Sequence, residues 1–169
     1  MAIQISRAVR QAVKSALAAS FNTAASDACT EFGIDPFSID FDEPGKSYFE
    51  TKLGLEDMVR LEAPESWPAM SVFVDGTVDD SEQISLTWSG RVQVTLRGFM
   101  RWPDADVTYT ESLADAFEAA VVGSLFGDAD LGEVTLLRGT PMSRSDLIWI
   151  DGAMYQQCEF TLAFQIDVQ

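Results

Sequence analysis

The run Cys158-Glu-Phe-Thr-Leu-Ala-Phe-Gln-Ile166 limits the fold more than any other stretch of this chain. Cys158, Phe160, Leu162, Phe164 and Ile166 alternate with Glu159, Thr161, Ala163 and Gln165, the period-two pattern of a strand with one packed face. The other face meets water or a partner. A second alternating run places Val92, Val94 and Leu96 on one side and Arg91, Gln93, Thr95 and Arg97 on the other. It belongs to an extended stretch from Ile84 to Phe99, in which Ser89-Gly90 reads as a turn or bulge. Arg91 and Arg97 share a face, where they read as neutralising acidic neighbours on the same sheet in preference to forming an anion site. Ala69 to Val74 predicts a shorter apolar strand, ended by Asp75-Gly76, a dipeptide suited to a tight turn.

Helical spacing replaces this alternation twice. Leu113, Ala116, Phe117, Ala120, Val121 and Leu125 form an apolar stripe, Thr108-x-x-Glu111 matches a capping box at its start, and Gly127 is placed to end it. Residues from about 3 to 20 form a second stripe through Ile5, Val9, Ala12, Val13, Ala16 and Leu17. Between Asn22 and about Glu65 the pattern loosens, with Gly33, Pro36, Pro44, Gly45, Gly54 and Pro64 as punctuation. Phe32, Phe37, Phe41, Tyr48 and Phe49 are rings that a free linker would not carry, so residues 22–65 read as an ordered, irregular, acidic insertion. A helical turn is expected near Leu53 to Val59. After the long helix, Glu133 to Leu137 restarts a strand, Arg138-Gly-Thr-Pro141 breaks it, and Leu147 to Ile150 is extended before Asp151-Gly152 and the final strand. The expected fold is one α+β domain over residues 1–169: a mixed or antiparallel sheet of about 4–6 strands with the N-terminal helix and one long central helix packed on one face.

The inventory excludes several chemistries. The chain has no histidine and only two cysteines, Cys29 and Cys158, set far apart, so no Ser-His or Cys-His nucleophile and no common zinc set can be assembled. Both thiols read as reduced and structural. No Gly-rich phosphate cradle is present. Asp40, Asp42 and Glu43, the run from Asp75 to Asp80, and Asp128 with Asp130 lack the spacing of a calcium loop and read as solvated acidic loops. No cofactor is expected. A formal charge of −16, from 27 acids against 11 bases, opposes binding to phosphate backbones and anionic membranes. No apolar run is long enough to cross a bilayer, and the N-terminus lacks the features of a secretory signal, so residence in a cytoplasm is expected.

Two sets of residues are candidates for contacts between subunits. Arg7, Arg10 and Lys14 all precede the first acid, Asp27, so a positive leading segment faces a negative remainder, an arrangement open to a head-to-tail fit between copies or to simple solvation of a helix face. Trp67, Trp88, Trp102 and Trp149, with Met70, Met100, Met142 and Met154, fall near strand ends and loops, where such side chains serve either subunit contacts or packing over the core.

Trp-Pro-Ala-Met-Ser-Val-Phe-Val (67–74), the acidic turn after it, Arg-Val-Gln-Val-Thr-Leu-Arg (91–97), Ser-Leu-Ala-Asp-Ala-Phe-Glu-Ala-Ala (112–120), a short acidic loop and the closing strand together resemble the tail-terminator or tail-completion proteins of tailed bacteriophages. The resemblance covers roughly the last hundred residues and rests on element order and texture. Residues 22–65 depart from it. It implies a non-enzymatic subunit that forms a ring, a hexamer in that family, at the head-proximal end of the tail tube. Its partners would be further copies of itself, the tail tube protein and a head-tail connector or neck protein, with DNA passing through a lumen that does not bind it. Two other expectations stand beside it: another virion structural subunit (connector, neck or tube), and a small-ligand domain working with carboxylates alone.

Overall fold

The computed structural model describes residues 2–60, 67–78, 88–102, 107–126, 131–132 and 134–168. Among them the fold is α+β, a mixed sheet of seven strands with three helices. The order is α1 (Ala2–Phe32), β1 (Tyr48–Phe49), α2 (Leu55–Arg60), β2 (Ala69–Val78), β3 (Trp88–Trp102), α3 (Val107–Leu125), β4 (Val134–Gly139), β5 (Ser143–Arg144), β6 (Ile148–Ile150) and β7 (Ala153–Val168).

Strands β3 and β7 pair antiparallel from Trp88↔Val168 to Trp102↔Met154, and this long ladder is the spine of the sheet. β2 and then β1 extend it on one side, β1 running parallel to β2. β3 occupies one edge of β7 along its whole length, so β4, β5 and β6 lie in succession along the other edge. The alternation in β7 now has a structural meaning. Cys158, Phe160, Leu162, Phe164 and Ile166 join Val92, Val94, Leu96 and Val72 in a core covered by α1 and α3. The opposite face carries Ala69, Phe99, Ala153 and Tyr155, which pack under Leu55 and Met58 of α2. The N-terminal helix and the long α3 therefore cover one face, as expected, the short α2 caps one end of the other, and the sheet has seven strands where about 4–6 were expected.

Helix α1 is longer than its first apolar stripe implies. Phe21, Ala25, Ala28 and Cys29 continue the buried spacing of Val9, Val13, Ala16 and Leu17 through the segment read as the start of an insertion. The helix stops where Gly33 adopts φ of +67°. Its amide donates to the Thr30 carbonyl at 3.4 Å and the Ile34 amide donates to that of Cys29 at 3.0 Å, a Schellman ending. Beyond it residues 34–49 are ordered by rings. Phe117 of α3 meets Phe21 of α1 edge-on at 5.4 Å, Phe21 meets Phe41 at 5.9 Å, and Phe41 meets Tyr48 at 5.2 Å. The Asn22 side chain clamps Ile39 from both sides, donating to its carbonyl at 2.9 Å and accepting from its amide at 2.8 Å. The Asp40 carboxylate accepts from the amides of Asp42 and Glu43, so this acid shapes a turn.

Four local expectations change. Asp75-Gly76 is a bulge inside β2, since the register with β3 shifts between Val74 and Gly76 and the strand continues to Val78. Ser89 and Gly90 pair without interruption opposite Asp167 and Ile166, so β3 neither turns nor bulges against β7. β4 continues through Arg138 and Gly139 after a register shift beyond Leu136. α3 begins at Val107, which puts Thr108 inside the first turn of the helix and not before it. The positions 84–87, Gly127, Asp128 and Asp130 lie outside the described residues.

Gly98 fixes how closely α3 approaches the sheet. A Cβ there would stand 2.5 Å from Cε1 of Phe117, so the ring rests directly on the β3 backbone. Gly98→Ala should destabilise the protein by about 1–3 kcal/mol through overpacking. Urea unfolding measures this, and recovery of the midpoint in the Gly98→Ala/Phe117→Leu double variant would identify the ring as the cause. The buried thiols give a second expectation. Cys29 and Cys158 are 1% and 0% exposed, and burial pushes the Cys158 thiol up to about 12. Aromatic disulfide reagents at about pH 8 should leave both unlabelled in the native protein and label both after unfolding.

Candidate assembly surface

The two edges of the sheet differ in chemistry. At the β7 side, Asp151 and Gly152 both have positive φ, 47° and 80°, which makes the two-residue turn that joins β6 to β7 with Ile150 opposite Ala153. The turn folds β6 back along β7 and leaves its outer edge without a pairing strand among the described residues. Leu147, Ile148 and Trp149 are 37%, 42% and 55% exposed. Trp149 stands opposite Met154, which stands opposite Trp102, so the three share one face across three strands while only the outermost is open. Asp146 and Asp151 flank the apolar run.

The segment leading into β6 is fastened to the body. The Arg144 guanidinium reaches from β5 to Asp115 and, at 3.5 Å, to Glu118, two of the carboxylates that α3 holds outside its apolar stripe. Thr140 and Thr161 exchange side-chain and backbone bonds, and the Ser145 amide donates to the Gln157 carbonyl at 2.8 Å. An exposed apolar strand is thus held in a defined position.

At the other side β1 pairs only with Met70 and Ser71 of β2. Past that point an open groove of about 440 Å³ runs beside β2, between Ser6 and Arg10 of α1, the segment Glu50 to Lys52, and Phe73 with Val74. Arg10 and Lys52 line it together with the acidic Glu50. Arg10 Nη1 donates to the Glu50 carbonyl at 3.3 Å, and Lys14 Nζ bonds Glu50 Oε1 at 3.2 Å while lying 5.4 Å over the Tyr48 ring. Lys52 bonds Asp75 at 3.3 Å, and both Lys52 and Arg97 lie over the Phe73 ring at 5.5 and 5.0 Å. Arg97 also bonds Glu159 at 2.6 Å and the Leu53 carbonyl at 2.9 Å, which is the cross-strand neutralisation expected of it. The bulge turns Asp75 so that its carboxylate also accepts from Thr95. In a chain of −16 net charge, Arg7, Arg10, Lys14 and Lys52 outnumber Glu50 and Asp75 at this edge and leave it locally positive.

The structure separates the residues that sequence reasoning had grouped. Arg10 and Lys14 converge on Glu50 within the chain, and Arg7 is exposed one turn earlier on α1. Trp67 is half-buried, edge-on to Tyr155 at 5.5 Å, and packs in the outer-face cluster. Trp88 opens β3 at the end of the sheet opposite Trp102, so the tryptophans form no single patch. Trp102 is 2% exposed, a core residue, as are Met70, Met100 and Met154 at 0–3%. Their strand-end positions placed them under the helices, so they are unavailable as contacts. Of Trp67, Trp102 and Trp149, only Trp149 is largely open. Lys52 and Phe73 went unnoticed because only the β2 bulge and the 50–52 segment bring them beside Arg10.

Arg144→Ala should loosen the β5–β6 segment while leaving the core intact, a global loss of about 0.5–1 kcal/mol for a partly exposed pair. Hydrogen exchange should rise in residues 143–150 and stay unchanged in β3. No protein-family model matches the chain, and no curated protein matches it at a significant level.

Proposed function

We propose that this chain is a structural subunit of a bacteriophage tail or neck, which closes into a ring, a hexamer on the pattern of the family it resembles, at the head-proximal end of the tail tube. There it stops tube growth and docks the head-side connector. The observation that carries this reading is the edge strand β6, with Leu147, Ile148 and Trp149 open and the segment fastened by Arg144. Between Asp146 and Asp151 the run Leu147 to Ile150 carries no charge or proline, so its open apolar side chains suit cover by a neighbouring chain. Two further features support it. The element order from β2 to β7 matches the one on which the resemblance rests. The opposite edge is different in character and positive, and a closed ring needs two unlike patches on each copy. The acidic excess elsewhere suits a lumen through which DNA passes without adhering. In this reading the protein works in the virion, after assembly in the host cytoplasm, and carries out no chemistry of its own.

Sedimentation over a range of concentrations, with and without purified tube protein, tests this. A ring-sized species that binds one end of tubes in micrographs is the expected result. A strict monomer that neither associates nor limits tube length would remove the reading.

A further inference from the structure

We infer that β6 of one copy docks in the groove beside β2 of the next, so that the β6 edge and the Arg10–Lys52 edge are the two halves of one head-to-tail contact. The inference rests on the proposal that copies of this chain assemble, and it names the surfaces that meet.

Three features on the two edges match. The first is backbone. β6 presents an unpaired outer edge, and β2 past Ser71 does so too among the described residues, so an added strand would satisfy both. The second is apolar area. Leu147, Ile148 and Trp149 need cover, and the groove offers the half-buried Val74 beside Phe73, which is already only 4% exposed under Lys52 and Arg97. Trp149 is the residue type that carries most energy in such contacts when a pocket closes around it. The third is charge. Asp146 and Asp151 bracket the apolar run of β6, while Arg10 and Lys52, from separate elements, border the groove, whose lining carboxylate Glu50 is already paired with Lys14. The Lys52 side chain is 67% exposed and its bond to Asp75 is a surface pair, which an incoming carboxylate can share.

Charge also decides the symmetry. Two β6 strands paired antiparallel about a two-fold axis would set Asp146 of one copy beside Asp151 of the other, and groove against groove would set cations together. Both self-matched contacts are repulsive. The unlike pairing is attractive, and since its two halves sit on opposite edges of one sheet, it repeats from copy to copy.

The test uses two variants of the whole protein, Trp149→Glu on the strand side and Arg10→Glu/Lys52→Glu on the groove side. Each alone should lose the ring and weaken association by roughly thirtyfold or more. Mixed together they should give a two-chain species and nothing larger, because a pair retains one intact β6 and one intact groove. Formation of that species also certifies that both variants are folded. If either loses native circular dichroism, Ile148→Lys and Lys52→Glu replace them. Wild-type assembly by either variant, or failure of the mixture to pair, overturns the contact while leaving the ring reading standing. Variants that assemble normally but lose the tube or connector assign these surfaces to that partner and likewise overturn it. A wild-type chain that is monomeric throughout overturns both.

Discussion

The antiparallel pairing of β3 with β7 is the constraint on which the remaining structure depends. Side chains alternate across a strand, so this register places Val92, Val94, Leu96, Phe160, Leu162 and Phe164 together on one face and Arg97 beside Glu159 on the other. A slip of β7 by one residue would turn Glu159 into the core, away from Arg97, and expose the apolar row of that strand. Each fully buried side chain of this kind contributes about 1.5–3 kcal/mol, so the register is strongly specified. From it follow the positions of β2 on one flank and of β4, β5 and β6 on the other, and therefore of both candidate contact edges.

The helices complete the apolar face and determine which surfaces remain open. α1 and α3 approach closely because Ala28 and Cys29 meet Ala116, and α3 approaches the sheet closely because Gly98 has no side chain under Phe117. The row of rings from Phe117 through Phe21 and Phe41 to Tyr48 then anchors the segment that ends in β1. That segment carries Glu50 and Lys52 to the side of Arg10, so the groove is a product of core packing several residues away. On the far flank the turn at Asp151-Gly152 and the Arg144 clamp perform the equivalent task for β6. Both edges are tied to the body by such contacts, and the more they are held before binding, the less entropy is lost when they meet a partner.

Much of the framework was legible in the residues. The alternation of β3 and β7, the stripe of α3, the short helix near residue 55 and the order of elements all follow from local periodicity, which survives folding because the core uses it directly. The reading failed where a tertiary contact decided the outcome. Ser26, Thr30 and Asn22 are weak helix formers and hid the last third of α1, which is held by burial of Phe21, Ala25 and Cys29 against α3. Asp75-Gly76 has the composition of a turn, and its use as a bulge depends on the partner strand. Trp102 and Trp149 look alike in sequence, each beside a strand end. One lies under the helices and the other beyond them, because the sheet continues one strand past Met154. The basic residues of α1 were visible, but their position beside Lys52 required the fold.

The proposed function is recognition by shape and charge, in which an apolar edge strand bracketed by carboxylates would be covered by another chain. Hydrogen exchange followed as a function of protein concentration tests that claim most directly. As the mass of the species rises, the amides of Leu147–Ile150 and of Val72–Gly76 should become protected together, while those of β3 remain as they are. Growth in mass with no change at either edge, or protection of one edge without the other, would contradict the account.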